Sequence, residues 1–433
     1  MRDYVFIPLI VFLCLVALRH PWMGVLAWTW ISVMNPHAFT WAAATMPVAA
    51  FVAGSTLIGM LVTSDRRRIF LTPASTMLAL FMIWITITYP FSFQPEASFD
   101  MWSRVMKVDL MILVTLILIQ SKRQIELFIW VVVLSLGFFG VKGGIFTIAT
   151  GGVHRMWGPG GFIGGNNEIA LALIIVIPLM RFLQMEVRHK WAKIAWTAAM
   201  ILTAAAALGS QSRGALLALA AMAVVLWIKS PRKLIFGVGI VLVGVALVSL
   251  MPRTWDARME TITNYEQDQS ATGRLNAWGM AWNLAKDRVT GGGFEIYNPA
   301  IFAKYAPDPK DIHAAHSIYF QVLGEQGFIG LGIYLLMWWF VWRSASWLIR
   351  EGGKAEDTKW CRNLGAMCQV SLAGFAVGGA FLSLAYFDLP YDVLAMVVLA
   401  KRWLQEHRAS TAAAAERGSA GVAPRLGSLG HAP

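Results

Sequence analysis

The chain has 433 residues, 57% of them hydrophobic and 14% charged, with a mean hydropathy of +0.59. Soluble globular domains carry roughly 25% charged residues, so a soluble enzyme, a disordered chain and a disulfide-rich secreted scaffold are all excluded. The formal charge of +12 comes from lysines and arginines in short clusters between apolar runs, which orients a membrane protein and does not describe a nucleic-acid surface.

Apolar runs recur along the chain, each near the ~20 residues that a membrane helix needs. The fold class expected is an all-α polytopic membrane protein with about 12 transmembrane helices. An amino-terminal group, 1–125, holds candidate spans at 4–18, 21–35, 46–63, 71–90 and 104–120. Residues 1–18 have the length of a signal peptide, but no small-residue cleavage site precedes Arg19-His20, so they read as an uncleaved first span. A central group, 126–251, takes spans at 125–148, 166–183, 194–210, 213–228 and 232–251. A long connection, 252–325, is followed by a carboxy-terminal group, 326–404, with spans at 326–349 and 363–386. The stretch 391–403 is short for a span and leaves the count at 12 or 13. The tail, 405–433, is rich in Ala, Gly, Ser and Pro and reads as disordered. Cys14, Cys361 and Cys368 lack metal-ligand spacing, and an odd count does not suggest a structural disulfide.

Positive clusters at Arg66-Arg67-Arg68, Lys122-Arg123, Arg188 to Lys193, Lys229 to Lys233 and Arg350 to Arg362 all fall on one side if the spans alternate. By the positive-inside rule that side is cytoplasmic. The connections 91–103, 149–165, the turn at Ser210-Gln211-Ser212 and 252–325 then face the opposite side. A 74-residue connection of this kind is usually functional. Leu275, Trp278 and Trp282 fall on one helical face within 272–287, which suggests an amphipathic interfacial helix, broken at Gly291-Gly292-Gly293.

The candidates for chemistry lie on that outer side. Arg213 opens an apolar helix at an end where positive residues are depleted, and is either a snorkelling anchor or functional. Arg274 opens the Trp-rich helix; two guanidiniums on one face suit bidentate binding of phosphate. Arg253, Arg258 and Arg288 share the side and add to its positive field. The run Asp308 to Tyr319 holds His313 and His316, which would share a face of a helix as a metal pair, or could supply a general base near neutral pH. No Asp-x-Asp or His-Glu-x-x-His pattern supports a metal. Glycines between 151 and 165 precede Asn166, Asn167 and Glu168, either an anion-binding helix start or a plain N-cap with a favourable acid in the first turn.

The run from His316 through Tyr319, Glu325 and Gly327 to Gly330, with Ser212-Arg213-Gly214, Gly273-Arg274-Leu275 near Trp278, and Gly291-Gly292-Gly293-Phe294, resembles the signature of the O-antigen ligase superfamily over about residues 150–345. The first 125 residues resemble the subgroup of O-glycosylation ligases found near exopolysaccharide loci. The resemblance implies a GT-C-like glycosyltransferase of the bacterial inner membrane that moves a glycan from undecaprenyl diphosphate to an acceptor on the periplasmic side. It implies neither metal nor other cofactor. His316 would be the base and Arg213 and Arg274 the diphosphate ligands, with Asn166, Asn167, Tyr319 and Glu325 as secondary candidates. Ser317 stands where the commonest form has Asn. Lipid A-core oligosaccharide is the acceptor expected first; a protein, a growing polysaccharide, or transport of a lipid-linked or anionic solute are the alternatives.

Overall fold

The computed structural model describes residues 2–63, 70–230, 232–253, 255 and 269–420. Helices α1 (Arg2–Arg19), α2 (Pro21–Met34), α3 (Val48–Val62), α4 (Pro73–Thr88) and α5 (Pro95–Leu118) form the amino-terminal part. Then come α6 (Lys122–Ala149), α7 (Asn166–Glu186), α8 (Lys190–Gly209), α9 (Arg213–Lys229) and α10 (Lys233–Ser249). Two further helices, α11 (Gln269–Asp287) and α12 (Pro299–Tyr305), precede the long α13 (Ile318–Gly352), α14 (Lys359–Gly379) and α15 (Asp388–Ala420). No strand occurs among the described residues.

Local sequence fixes where several of these begin. Thr72 and Ser75 form a capping box ahead of α4, and Ser121 and Gln124 form one ahead of α6, each satisfying orphan amides at the helix start. Ser212 caps α9 and Asn298 caps α12. Five helices among the described residues are long and apolar enough to cross a membrane: Pro73–Phe91, Lys122–Ala149, Asn166–Glu186, Lys190–Gly209 and Ile318–Gly352. Val48–Val62 and Lys233–Ser249 are shorter apolar helices. The chain is a multi-pass, all-helical membrane protein.

Long-range hydrogen bonds sort the helix ends into two groups. At one end, Asp3 accepts from the amides of Trp41, Ala42 and Ala43, Asn35 donates to the Gly160 carbonyl, and Gln211 donates to that of Gly152. Phe93 N bonds to Gly292 O there, and Ser98 to Phe294 O. At the other end Lys122 lies over Trp360, Asn363 bonds to Glu186, and Glu351 pairs with Arg408. The clusters Lys122-Arg123, Arg188 to Lys193, Lys229 to Lys233 and Arg350 to Arg362 therefore share the second end. Arg66-Arg67-Arg68 and Arg258 lie outside the described residues.

Two expectations need correction, and the short stretch 391–403 proves to be part of a longer helix. The stretch 391–403 lies in the first half of α15, where Tyr391, Val393, Leu394, Ala395, Met396 and Val397 are fully buried. Its neighbours come from both halves of the chain, α2, α4 and α5 as well as α13 and α14, so it is packed against protein on several sides. The span expected at 363–386 stops at Gly379, and residues 380–387 form a turn that leads into α15. Finally, residues 405–420 continue α15 and are not disordered. Alanine favours helix, and Arg408 to Glu351 with His407 to Asp357 at 2.7 Å tie the segment down. Residues 421–433 lie outside the described residues.

α13 is broken rather than straight. Gly327 has φ 69° and ψ −175° inside it, so the carbonyls of 324–326 lose their helical partners. Gly292 N takes Gly324 O and Gly293 N takes Glu325 O, both at 2.9 Å, while Trp84 Nε1 takes Gln326 O at 2.9 Å. The glycine run 291–293 is thus stitched into the break, which anchors the segment carrying α11 and α12.

Candidate functional site

His316 sits just ahead of α13, in a segment without helix. It holds φ 43°, a left-handed conformation uncommon for a side-chain-bearing residue and costing on the order of 1 kcal/mol or more. Two contacts hold it there. Its amide donates to Ser383 Oγ at 3.0 Å, and the preceding carbonyl, Ala315 O, accepts from Trp278 Nε1 at 2.7 Å. Trp278 in turn stacks on Phe320, ring centroids 4.7 Å apart and nearly coplanar, so α11 and the start of α13 are clamped around the histidine. Nδ1 of His316 is enclosed without a hydrogen-bond partner.

Burial, the Arg274 guanidinium and then His313 push the His316 pKa below its ordinary 6.5. All three disfavour the imidazolium, so near neutral pH the ring is a proton acceptor. His313 is engaged elsewhere, with Nε2 2.8 Å from Asp311 Oδ1, and its ring packs over Gly273, where a Cβ would come within 2.3 Å of it. Asn276 locks the same loop by donating to Asp308 O and Asp311 O and accepting from Asp308 N. The His-x-x-His pair is therefore not on a helix as expected, because residues 311–316 form no helix between these ties. Among the described residues no group of three or more metal-ligating side chains occurs.

Arg274, in the first turns of α11, is half-buried beside His316. Arg213 begins α9 directly after its Ser212 cap and is also half-buried. Its neighbour Gly214 packs against Phe381, in the 380–387 turn whose Ser383 holds His316. This turn thus connects Arg213 with His316. Asn166, 8% exposed, donates to Ser210 O at 2.8 Å, securing the turn under Arg213; it is a tie and not an N-cap, a place taken by Gly165. Asn167 beside it is half-buried.

Two secondary candidates are committed to packing. Tyr319 donates to Ala376 O at 2.8 Å. Glu325, 4% exposed, accepts from Tyr386 Oη at 2.7 Å, and Gln321 on the same face accepts from Ala385 N. Both pin the 380–387 turn to α13. Arg288 lies 4.1 Å over the Phe93 ring and donates to Phe91 O, a brace for the α11 end; Arg253 is exposed. The face of α11 that carries Leu275 and Trp282 is half-exposed, with Ala277, Met280, Ala281 and Leu284 buried on the other.

Sequence reading missed a cleft of about 310 Å³ at the same end, lined by Arg104, Phe162, Glu168, Gln321, Ser383 and Tyr386, among others. Arg104 could have been found by the logic that singled out Arg213, since it is a positive residue at the end where such residues are depleted. It was hidden because α5 begins at Pro95, nine residues before the expected span. Ser383 gave no signal at all, as its part depends on folding next to His316.

Residues 198–335 match the family model described as O-antigen ligase, which covers Arg213, Arg274 and His316. Residues 1–188 match a family of unknown function. No curated protein matches the chain.

Proposed function

We propose that this chain, whose residues 198–335 match the O-antigen ligase family, transfers a glycan from undecaprenyl diphosphate to the lipid A-core oligosaccharide at the periplasmic face of the bacterial inner membrane. The observation that best supports this reading is the neutral, half-buried His316 imidazole beside Arg274, at the end away from the lysine and arginine clusters. ATP and sugar nucleotides are absent outside the cytoplasm, so the donor must arrive already activated on a lipid.

The step is one displacement. His316 Nε2 takes the proton of the acceptor hydroxyl, for roughly 10²–10⁴-fold in rate. The hydroxyl oxygen bonds to the anomeric carbon as the bond from that carbon to the diphosphate oxygen breaks. Arg274 and Arg213 stabilise the charge that develops on the leaving lipid diphosphate, in the manner of preorganised donors. One displacement inverts the anomeric carbon, whereas retention would need a carboxylate nucleophile. Glu325 is bound to Tyr386 and serves packing. The arginines supply the cationic stabilisation for which phosphoryl chemistry elsewhere uses a metal, so transfer is proposed to be metal-independent, on a GT-C-like scaffold of about twelve spans.

The test is transfer by purified protein in detergent from undecaprenyl-diphosphate-linked glycan to lipid A-core. His316→Ala abolishes transfer while donor binding persists, and His313→Ala keeps most activity. A folded His316→Ala protein that ligates near the wild-type rate overturns the assignment. Transfer only to protein or to a second lipid-linked glycan redirects the acceptor and leaves the chemistry in place.

A further inference from the structure

The cleft beside His316 contains no residue from α9 or α11, the helices that bear Arg213 and Arg274. Its walls come instead from α5, the glycine loop with the start of α7, α13 and the 380–387 turn. It adjoins the segment that carries the base, because Ser383 on its wall is the residue whose Oγ accepts from the His316 backbone amide. A base must face the attacking hydroxyl on one side and the anomeric carbon on the other. With the diphosphate held by α9 and α11, the cleft is the space on the acceptor's side.

Its chemistry suits a saccharide. Arg104 carries a planar fork of donors, parked 5.4 Å over the Phe162 ring, and such a fork can grip two oxygens at once. Glu168 offers acceptors from across the cleft; its carboxylate folds back over Gly165, where a Cβ would lie 2.0 Å from Oε2, so the helix start holds it in one place. Ser383, already an acceptor from the His316 amide, still has its hydroxyl proton to donate. Tyr386 contributes an aromatic ring fixed through its hydroxyl to Glu325. A cavity of about 310 Å³ is at the low end of the ~300–1,000 Å³ of small-ligand sites, and fits the terminal sugar of an acceptor but not a folded partner.

We propose that this cleft is the acceptor subsite, with Arg104 and Glu168 binding the hydroxyls of the acceptor's terminal sugar and Ser383 joining that sugar to the base. The assignment rests on the transferase reading above and deepens it.

The experiment titrates each substrate separately against purified full-length protein, using undecaprenyl-diphosphate-linked glycan and lipid A-core. Arg104→Ala and Glu168→Gln each raise the KM for lipid A-core about 10- to 100-fold, the range for losing a hydrogen bond to a charged group. The donor KM stays within about twofold and the rate recovers at saturating acceptor, a rescue that a merely structural defect would not permit. Arg104 is exposed and Glu168→Gln preserves shape, and the unchanged donor KM reports that each variant is folded. If donor KM rises while acceptor KM is unmoved, the cleft belongs to the donor; if neither moves, it is no subsite, and either result overturns the proposal. Loss of transfer in His316→Ala alongside an unaltered Arg104→Ala leaves the transferase reading standing, whereas full activity in His316→Ala removes that reading first.

Discussion

Replacing Gly327 by alanine tests whether the break in α13 is what holds the outer segment over the site. At φ 69° and ψ −175° the residue occupies a region essentially confined to glycine, and a side chain there costs about 1–3 kcal/mol. Space forbids it as well. A Cβ at 327 would stand 2.2 Å from Val289 O and 3.0 Å from Gly291 N, and both are backbone atoms. Relief requires the 289–293 strip to withdraw, which breaks Gly292 N to Gly324 O and Gly293 N to Glu325 O. At about 0.5–1.5 kcal/mol for each bond, the whole effect is roughly 2–6 kcal/mol. Gly332 is the control: a Cβ there meets nothing within 4 Å, and alanine favours a helix interior by about 1 kcal/mol. In detergent-solubilised protein followed by tryptophan fluorescence, Gly327→Ala lowers Tm by several degrees and transfer falls with it, since α11 and Arg274 are no longer fixed against His316. Gly332→Ala keeps both. A Gly327→Ala protein with wild-type Tm and rate would refute the reasoning.

Arg213→Ala and Arg274→Ala each reduce transfer by at least ~10²-fold, the scale for losing one charge-stabilising donor, and lysine restores only part because a point charge lacks the planar fork; full activity in either lysine variant rules out bidentate diphosphate binding by that arginine. The acidic limb of kcat/KM lies below pH ~6.5, because the base acts unprotonated and its folded pKa is lowered. Arg274→Gln removes one cause of that lowering and moves the limb of the residual activity upward, so a limb unmoved or shifted down disconnects it from His316. Single cysteines at Ala306 and Gln184 report orientation: an impermeant maleimide in intact spheroplasts labels position 306 and spares 184, and the reverse pattern would invert the site's placement.

Most of the helices were legible in the sequence because hydropathy is a local property. An apolar run of span length must shelter its own backbone hydrogen bonds in lipid, so 125–148 and 166–183 reappear as α6 and α7 with only their ends adjusted. The grouping of the basic clusters at one end followed equally from alternation. Arg213, Arg274 and His316 were readable as motifs, and their common end followed from counting helices. What composition could not show was anything made by pairing across the chain. The short stretch 391–403 is buried because helices from both halves pack against it, and only packing can tell a span facing protein from one facing lipid. The break at Gly327 depends on carbonyls being taken over by residues 292, 293 and 84. His316 is aimed by Ser383, 67 residues away, and the cleft with Arg104 and Glu168 has walls from four separate regions of the chain. The sequence by itself determined the elements, their polarity and the chemically capable residues, since each is written in neighbouring side chains. Tertiary structure alone decided which of those residues meet, because a site is a set of distances between segments that share no local signal.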